Sequence, residues 1–170
     1  MQQAVRVLYG SASPSEAFQS SSLHLVALDM ADFLRHVAAN AGIADLVCHA
    51  PETPVRVRAD EYALEDVFSH LLKNADRHRR PGTAITLTLE GGETGASVTV
   101  YNHGPAIVEA LLERIFEYGV SDQPGAGANG SRGQGLFVAR TYMAKMGGTL
   151  VARNEADGVS FVLNLPRARE

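Results

Sequence analysis

Residues 65–78 read EDVFSHLLKNADRH, and this stretch decides the fold. Its apolar residues recur every three or four positions, which predicts a helix with one apolar face: Val67, Phe68, Leu71, Leu72 and Ala75. Its polar residues recur at the same spacing and line a second stripe: Asp66, His70, Asn74, Arg77 and His78. A solvated polar face explains this stripe if the stretch is taken alone. A second interpretation is a site for metal-bound phosphate, because an amide oxygen is a hard ligand for Mg²⁺ and basic groups bind phosphate oxygens.

The length and composition are those of one globular domain. The 170 residues are 45% hydrophobic and 20% charged, enough for one core and too few for two comfortable domains. The net charge of −4 lacks the basic excess of a general nucleic-acid binder, so we expect no nucleic-acid partner. No stretch approaches the roughly 20 apolar residues of a membrane span, and the N-terminus lacks the apolar core of a signal peptide. We therefore expect a cytoplasmic domain that does not itself contact a membrane.

The order of the elements predicts an α/β fold, a two-layer sandwich with helices on one face of a mixed β-sheet. Helices are expected over 29–41, 60–78, 107–116 and 136–146, and strands over 45–49, 55–58, 83–90, 96–102, 149–152 and 159–165. Asp29 is the expected cap of the first helix. Cys48, the single cysteine, is expected as a buried strand residue and excludes an internal disulfide framework. Residues 1–22 are interpreted as a helix stub and linker, which leaves 23–170 as the domain.

Two further segments place small and polar residues at the ends of predicted elements. The sequence Asn102-His-Gly104-Pro follows a strand, where a glycine lets the backbone approach a flat ligand closely. The sequence NGSRGQGL, residues 129–136, precedes a helix, whose free N–H groups and dipole favour a phosphate chain. Residues 119–135, rich in Gly, Ser and Asn, have the length of a lid or binding loop. Each signal is weak alone, but their order and spacing together are specific.

In this order the segments resemble the nucleotide-binding boxes of the GHKL (Bergerat) ATP-binding fold, in particular the catalytic ATP-binding domain of bacterial sensor histidine kinases. The resemblance extends from about Leu25 to Pro166, with Arg114-Ile-Phe-Glu117 before the loop and Arg140 at the family's distance from Gly147-Gly148. It implies a protein histidine kinase domain of a two-component system that uses ATP and Mg²⁺. Such a domain presents the γ-phosphate to a histidine on a separate dimerisation domain of its parent kinase, and a response regulator follows. The parent kinase of such a domain can be anchored in the inner membrane.

The resemblance also implies roles for individual residues. Asn74 would be the Mg²⁺ ligand and touch the phosphates, while His70 would contact the γ-phosphate. Asn102 would accept the adenine amino group, and Gly104 would leave room for the base. Further ATP contacts are implied for residues on the same three segments: Arg77, His78, Ile107, Arg132, Gly133, Gly135 and Leu136. Among these, Arg77 would meet phosphate, His78 would stack near adenine, and the backbone N–H groups of Gly133, Gly135 and Leu136 would bind the phosphates.

Four positions depart from the family pattern. Asn102 replaces the usual Asp and lacks its charge assistance, which predicts weaker nucleotide binding. Ala106 and Ser131 stand where Gly is usual. His70 replaces the usual Asn of sensor kinases, and the ATP-hydrolysing relatives have a Glu base there, so an efficient ATPase is not expected.

The residues that follow the histidines indicate whether this chain contains a phosphate acceptor. None of the six is followed by an acidic residue in the family's phosphoacceptor style, so the acceptor is expected outside this chain. Two alternatives stay open: a degenerate nucleotide-sensing module, and a serine kinase of the anti-sigma-factor type that shares the fold.

Overall fold

The stretch 65–78 forms most of one helix, α2, which spans Glu61–His78. In the computed structural model of the protein, which describes residues 22–117 and 132–168, its apolar face is buried as predicted. The Asp60 carboxylate caps this helix by accepting a hydrogen bond from the backbone N–H of Ala63. The helix ends at His78, shortly before Pro81, which cannot continue a helix.

Three α-helices and seven strands lie along the described residues, and after α1 the strands come in consecutive pairs. The helices are α1 (Met30–Asn40), α2 (Glu61–His78) and α3 (Arg132–Lys145). The strands are β1 (Val26–Asp29), β2 (Leu46–His49), β3 (Arg56–Ala59), β4 (Ile85–Gly91), β5 (Gly95–His103), β6 (Thr149–Glu155) and β7 (Gly158–Pro166). Asp29 caps α1 as predicted, because its carboxylate accepts a hydrogen bond from the N–H of Ala31. None of the described helices is long and apolar enough to cross a membrane.

A five-stranded mixed sheet forms one layer of the molecule, in the order β2-β4-β5-β7-β6. β2 runs parallel to β4, and the other neighbouring strands are antiparallel. In β4 the residues Ile85, Leu87 and Leu89 are buried and alternate with half-exposed threonines, so one face of the sheet packs on the helices. This arrangement confirms the predicted α/β sandwich. It also places the end of β5 in the middle of the sheet.

Three elements differ from the sequence predictions. The single helix predicted over 107–116 is wrong: the chain forms two 3₁₀ turns, Glu109–Leu111 and Arg114–Phe116. At Ile107 the C=O, which a helix would use as an acceptor, instead accepts a hydrogen bond from the side chain of Asn154, which also bonds the N–H of Ile107. α3 begins at Arg132, four residues before the predicted start, so the glycines expected in a loop lie within its first turns.

The third difference is β1, which the sequence analysis did not predict. β1 pairs with β3 in a separate two-stranded antiparallel sheet. Its four residues are too few to show a strand period, and the strand exists because of its distant partner. Cys48 lies in β2 as predicted, but it is half-buried rather than buried, and that burial raises the pKa of its thiol. The predictions on residues 1–21 and 118–131, including Ser131, lie outside the described residues.

Candidate functional site

The predicted site residues come together where α2 meets the start of α3 and the end of β5. Near the middle of α2, the His70 ring lies beside Gly135 of α3: a Cβ on Gly135 would be 3.0 Å from His70 Nδ1. At its last residue, α2 touches the segment after β5: a Cβ on Gly104 would be 2.5 Å from the His78 carbonyl oxygen. Asn74 lies between these two contacts, one helical turn from each. The polar stripe of α2 therefore spans the junction of three elements.

Asn102 is a buried polar residue, 2% exposed, near the end of the middle strand β5. Its Nδ2 donates a hydrogen bond of 3.1 Å to the carbonyl oxygen of His103, which fixes the orientation of the amide. Among the described residues, no donor bonds to its Oδ1. An oriented amide oxygen that receives no hydrogen bond from the described residues suits an amino group such as that of adenine.

Gly104 is required for close backbone approach. Its missing side chain leaves the space that the His78 carbonyl occupies, and Asn102 Nδ2 would lie 3.3 Å from a Cβ there. Any larger residue would push the end of α2 away from β5. The role implied for Gly104, to leave room for a nucleotide base, stays a prediction; the structure shows that the missing side chain lets the segment after β5 approach the end of α2.

Asn154, which was not predicted from the sequence, holds the backbone of the predicted site residue Ile107. From β6 it accepts a 2.8 Å hydrogen bond from the N–H of Ile107 and donates one of 2.8 Å to the carbonyl of Ile107. This pairing fixes the path of the chain just after Gly104, and it buries Ile107. An asparagine inside a strand, where it is disfavoured, was the available signal.

The polar stripe of α2 is paired within itself. His70 Nε2 lies 3.5 Å from the Asp66 carboxylate, one turn earlier. Arg77 Nη2 donates a long hydrogen bond of 3.4 Å to Asn74 Oδ1. The amide oxygen has two lone pairs, so this contact leaves one for another partner.

α3 places its first turn at the other side of the site. In a helix that starts at Arg132, the N–H groups of Arg132 and Gly133 have no intrahelical acceptor. Gly135 and Leu136 are its fourth and fifth residues, where regular helical bonding begins to use the N–H groups. Gly133 is therefore the best placed of the three predicted backbone donors, and the N–H of Arg132 is a further donor that was not predicted in that role.

An ion pair holds α3 against the segment that follows the site. Arg140 bonds Glu113 through both guanidinium nitrogens, at 2.9 and 3.2 Å, and lies 4.5 Å over the ring of Phe116. The hydrogen bond from Arg140 holds the pKa of Glu113 below its ordinary value. Arg140 thus acts as a structural link, away from the α2 stripe.

The residues present fit a Mg²⁺ ion that is bound mainly through phosphate. The described residues contain no cluster of three or more His, Cys, Asp or Glu side chains that could hold a metal. Mg²⁺ is commonly bound by one or two protein oxygens together with substrate phosphates and water, and Asn74 Oδ1 offers one such oxygen. The neighbouring Arg77 would meet the phosphate charge.

The chain is similar to known proteins over most of its length. Residues 59–169 match the family described as histidine kinase-, DNA gyrase B-, and HSP90-like ATPases. The sensor histidine kinase YcbM of Bacillus subtilis is 32% identical over 120 residues, which cover 69% of this chain and 38% of that protein. The swarming motility regulation sensor protein RssA of Serratia marcescens is 34% identical over 119 residues, 67% of this chain and 24% of that protein.

Solved structures show the same fold. The catalytic domain of the histidine kinase ThkA, in a nucleotide-free form, superposes with a TM-score of 0.74 at 25% identity, covering 86% of this chain and all of that domain. The chain spans less than two-fifths of the length of the curated relatives named above. The chain therefore belongs to the family of histidine kinase-, DNA gyrase B- and HSP90-like ATPases, as a catalytic domain of the sensor histidine kinase type.

Proposed function

We propose that this domain binds ATP with Mg²⁺ and presents the γ-phosphate to a histidine on the dimerisation domain of a longer sensor kinase. A response regulator would then receive the phosphate from that histidine. The observation that carries the proposal is the oriented amide of Asn102, whose oxygen receives no hydrogen bond from the described residues, at the same junction as Asn74 and the start of α3. At one end of this junction Asn102 offers an acceptor for the base. At the other end Asn74 and the start of α3 offer groups that would bind phosphate.

Each residue would contribute positioning and charge rather than covalent chemistry. Asn102 would accept the amino group of adenine, with His78 beside the base. Asn74 would hold Mg²⁺, which neutralises phosphate charge when bound. Arg77 and the first N–H groups of α3, at Arg132 and Gly133, would bind phosphate oxygens. His70, which lies between Asp66 and Gly135, would contact the γ-phosphate.

Phosphotransfer to a partner domain tests this proposal. Supplied with the helical dimerisation domain of its own parent kinase and Mg·ATP, the chain should produce an acid-labile phosphohistidine on that domain. Alone, it should neither label itself nor hydrolyse ATP quickly, since none of its histidines has the acceptor context. Asn74→Ala should abolish most of the transfer, because the metal-dependent part of ATP binding is lost.

Asn40→Ala is the matched control, since Asn40 lies on α1 and its Nδ2 bonds the carbonyl of His36. It should transfer phosphate at the wild-type rate. ATP binding without transfer to the parent domain would support the nucleotide-sensing alternative. Phosphate on a serine of a protein substrate would support the serine-kinase alternative.

A further inference from the structure

A cluster of charged side chains joins three segments beside Asn102. Asp157, in the turn between β6 and β7, accepts two hydrogen bonds from Arg80, at 3.1 and 2.9 Å. Its Oδ2 also lies 3.2 Å from Nδ1 of His103, the residue after Asn102. Arg80 follows the end of α2, so one carboxylate connects α2, β5 and the β6–β7 turn. The hydrogen bonds from Arg80 and then His103 hold the pKa of Asp157 below its ordinary value.

Backbone hydrogen bonds follow the same connections. The N–H of Arg80 donates to the carbonyl of His103 at 2.7 Å, and the N–H of Gly104 donates to the carbonyl of Asp157 at 3.3 Å. The His103 carbonyl is also the acceptor for Asn102 Nδ2. The group that orients the Asn102 amide is thus itself held by Arg80.

The conformation of the turn that contains Asp157 depends on contacts with other segments of the chain. Ala156 and Asp157 form a two-residue connection between the paired residues Glu155 and Gly158. Both have negative φ, so the turn is neither of the two types whose twist matches a two-residue hairpin. Gly158 packs directly on β5: a Cβ there would be 2.1 Å from the Asn102 carbonyl oxygen. A shift of this turn would therefore also move the backbone of Asn102.

We propose that Asp157 is a positioning residue for adenine recognition: through Arg80 and His103 it holds the carbonyl that orients the Asn102 amide. This inference rests on the proposed function, because it assumes that Asn102 reads adenine. The side chains of Arg80, Asp157 and His103 are 50%, 58% and 38% exposed, so their ion pairs contribute little to stability. Their effect is on the orientation of one buried amide.

Nucleotide titration calorimetry on Asp157→Asn tests the inference. The substitution keeps the size of the side chain, but it removes the charge and one of the two acceptors for Arg80. ATP affinity should fall roughly three- to tenfold, the range expected for a misaligned hydrogen bond, while GTP affinity stays unchanged. In an Asn102→Ala background, Asp157→Asn should have no further effect on ATP affinity, because the residue that it positions is gone.

Glu155→Gln is the matched control, because it removes another surface ion pair of the same hairpin, with Arg153. It should leave both affinities unchanged. If Asp157→Asn fails to fold, Arg80→Gln breaks the same pair from the α2 side and keeps the Arg80 N–H. Wild-type ATP affinity in the Asp157 variant, or an equal loss for ATP and GTP, would overturn the inference alone. Failure of the wild-type protein to bind ATP would overturn the proposed function and the inference with it.

Discussion

In the proposed function, a single residue, Asn102, would decide which base the site binds. Asn102 is buried, and its Nδ2 is used by the His103 carbonyl, so its amide offers Oδ1 as the acceptor. Adenine presents an amino group to such an acceptor, whereas guanine presents a carbonyl oxygen at the equivalent ring position. Two oxygens facing each other repel, so the orientation of one amide separates the two bases.

Asn102→Ala is expected to lower ATP affinity and to leave GTP affinity unchanged. The loss of one hydrogen bond in a buried position corresponds to about 1–3 kcal/mol of binding free energy. Titration calorimetry with both nucleotides measures the difference. Asn164→Ala on β7, where an exposed amide bonds Thr149, is the control and should bind as the wild type does. Parallel losses of ATP and GTP affinity in the Asn102 variant would contradict base reading by this residue.

The helix α2 is tied at its first turn to the segment that leads into the domain. The Asp60 carboxylate accepts hydrogen bonds from the N–H groups of Ala63 at 3.0 Å and His24 at 2.8 Å. Burial acts to raise the pKa of Asp60, but the bonds from the Ala63, His24 and Tyr62 N–H groups together outweigh it and lower the pKa. One carboxylate therefore caps the helix and holds the incoming strand segment.

Removing this cap should destabilise the domain in a pH-dependent way. A lowered folded-state pKa means that the stabilisation is present above the unfolded pKa of Asp60 and is lost as pH falls through the folded value. Asp60→Ala should reduce the free energy of unfolding by about 0.5–2 kcal/mol at neutral pH, with a smaller difference in acid. Denaturant unfolding at several pH values measures this. Asp32→Asn, on an exposed pair with Arg35, is the control and should change stability by less than about 0.5 kcal/mol.

At the scale of the whole molecule, the elements that a local hydrophobic period defines could be predicted from the sequence. The contacts between residues far apart in the chain could not. The spacing of Val67, Leu71 and Ala75 is enough to place α2, and strand alternation is enough to place β4 and β5. Asn154, by contrast, bonds a residue 47 positions away, and Asp157 bonds one 77 positions away. No periodic pattern in the sequence indicates contacts between residues so far apart. The polar stripe of α2 could therefore be predicted, whereas Asn154 and Asp157, which hold the neighbouring segments, could not.

Because the site draws on α2, α3 and β5 together, ligand binding should stabilise the whole domain. A ligand that binds the folded state alone, at about 100 times its dissociation constant, adds about 2.7 kcal/mol. Mg·ATP is therefore expected to raise the melting temperature by several degrees in scanning calorimetry. Mg·GTP at the same concentration should give a smaller shift, and chelating Mg²⁺ should reduce the ATP effect. An ATP shift that does not depend on Mg²⁺ would contradict the role of Asn74.

The contact between Gly158 and Asn102 also limits how the sheet can assemble. Gly158 pairs with His103. A Cβ on Gly158 would collide with the Asn102 carbonyl oxygen. If β7 slid by one residue along β5, Asp157 or Val159 would come to that place and bring a side chain into the collision. Such a slip would also turn every β7 side chain to the opposite face of the sheet. The glycine thus acts as a steric check against a mispaired β7.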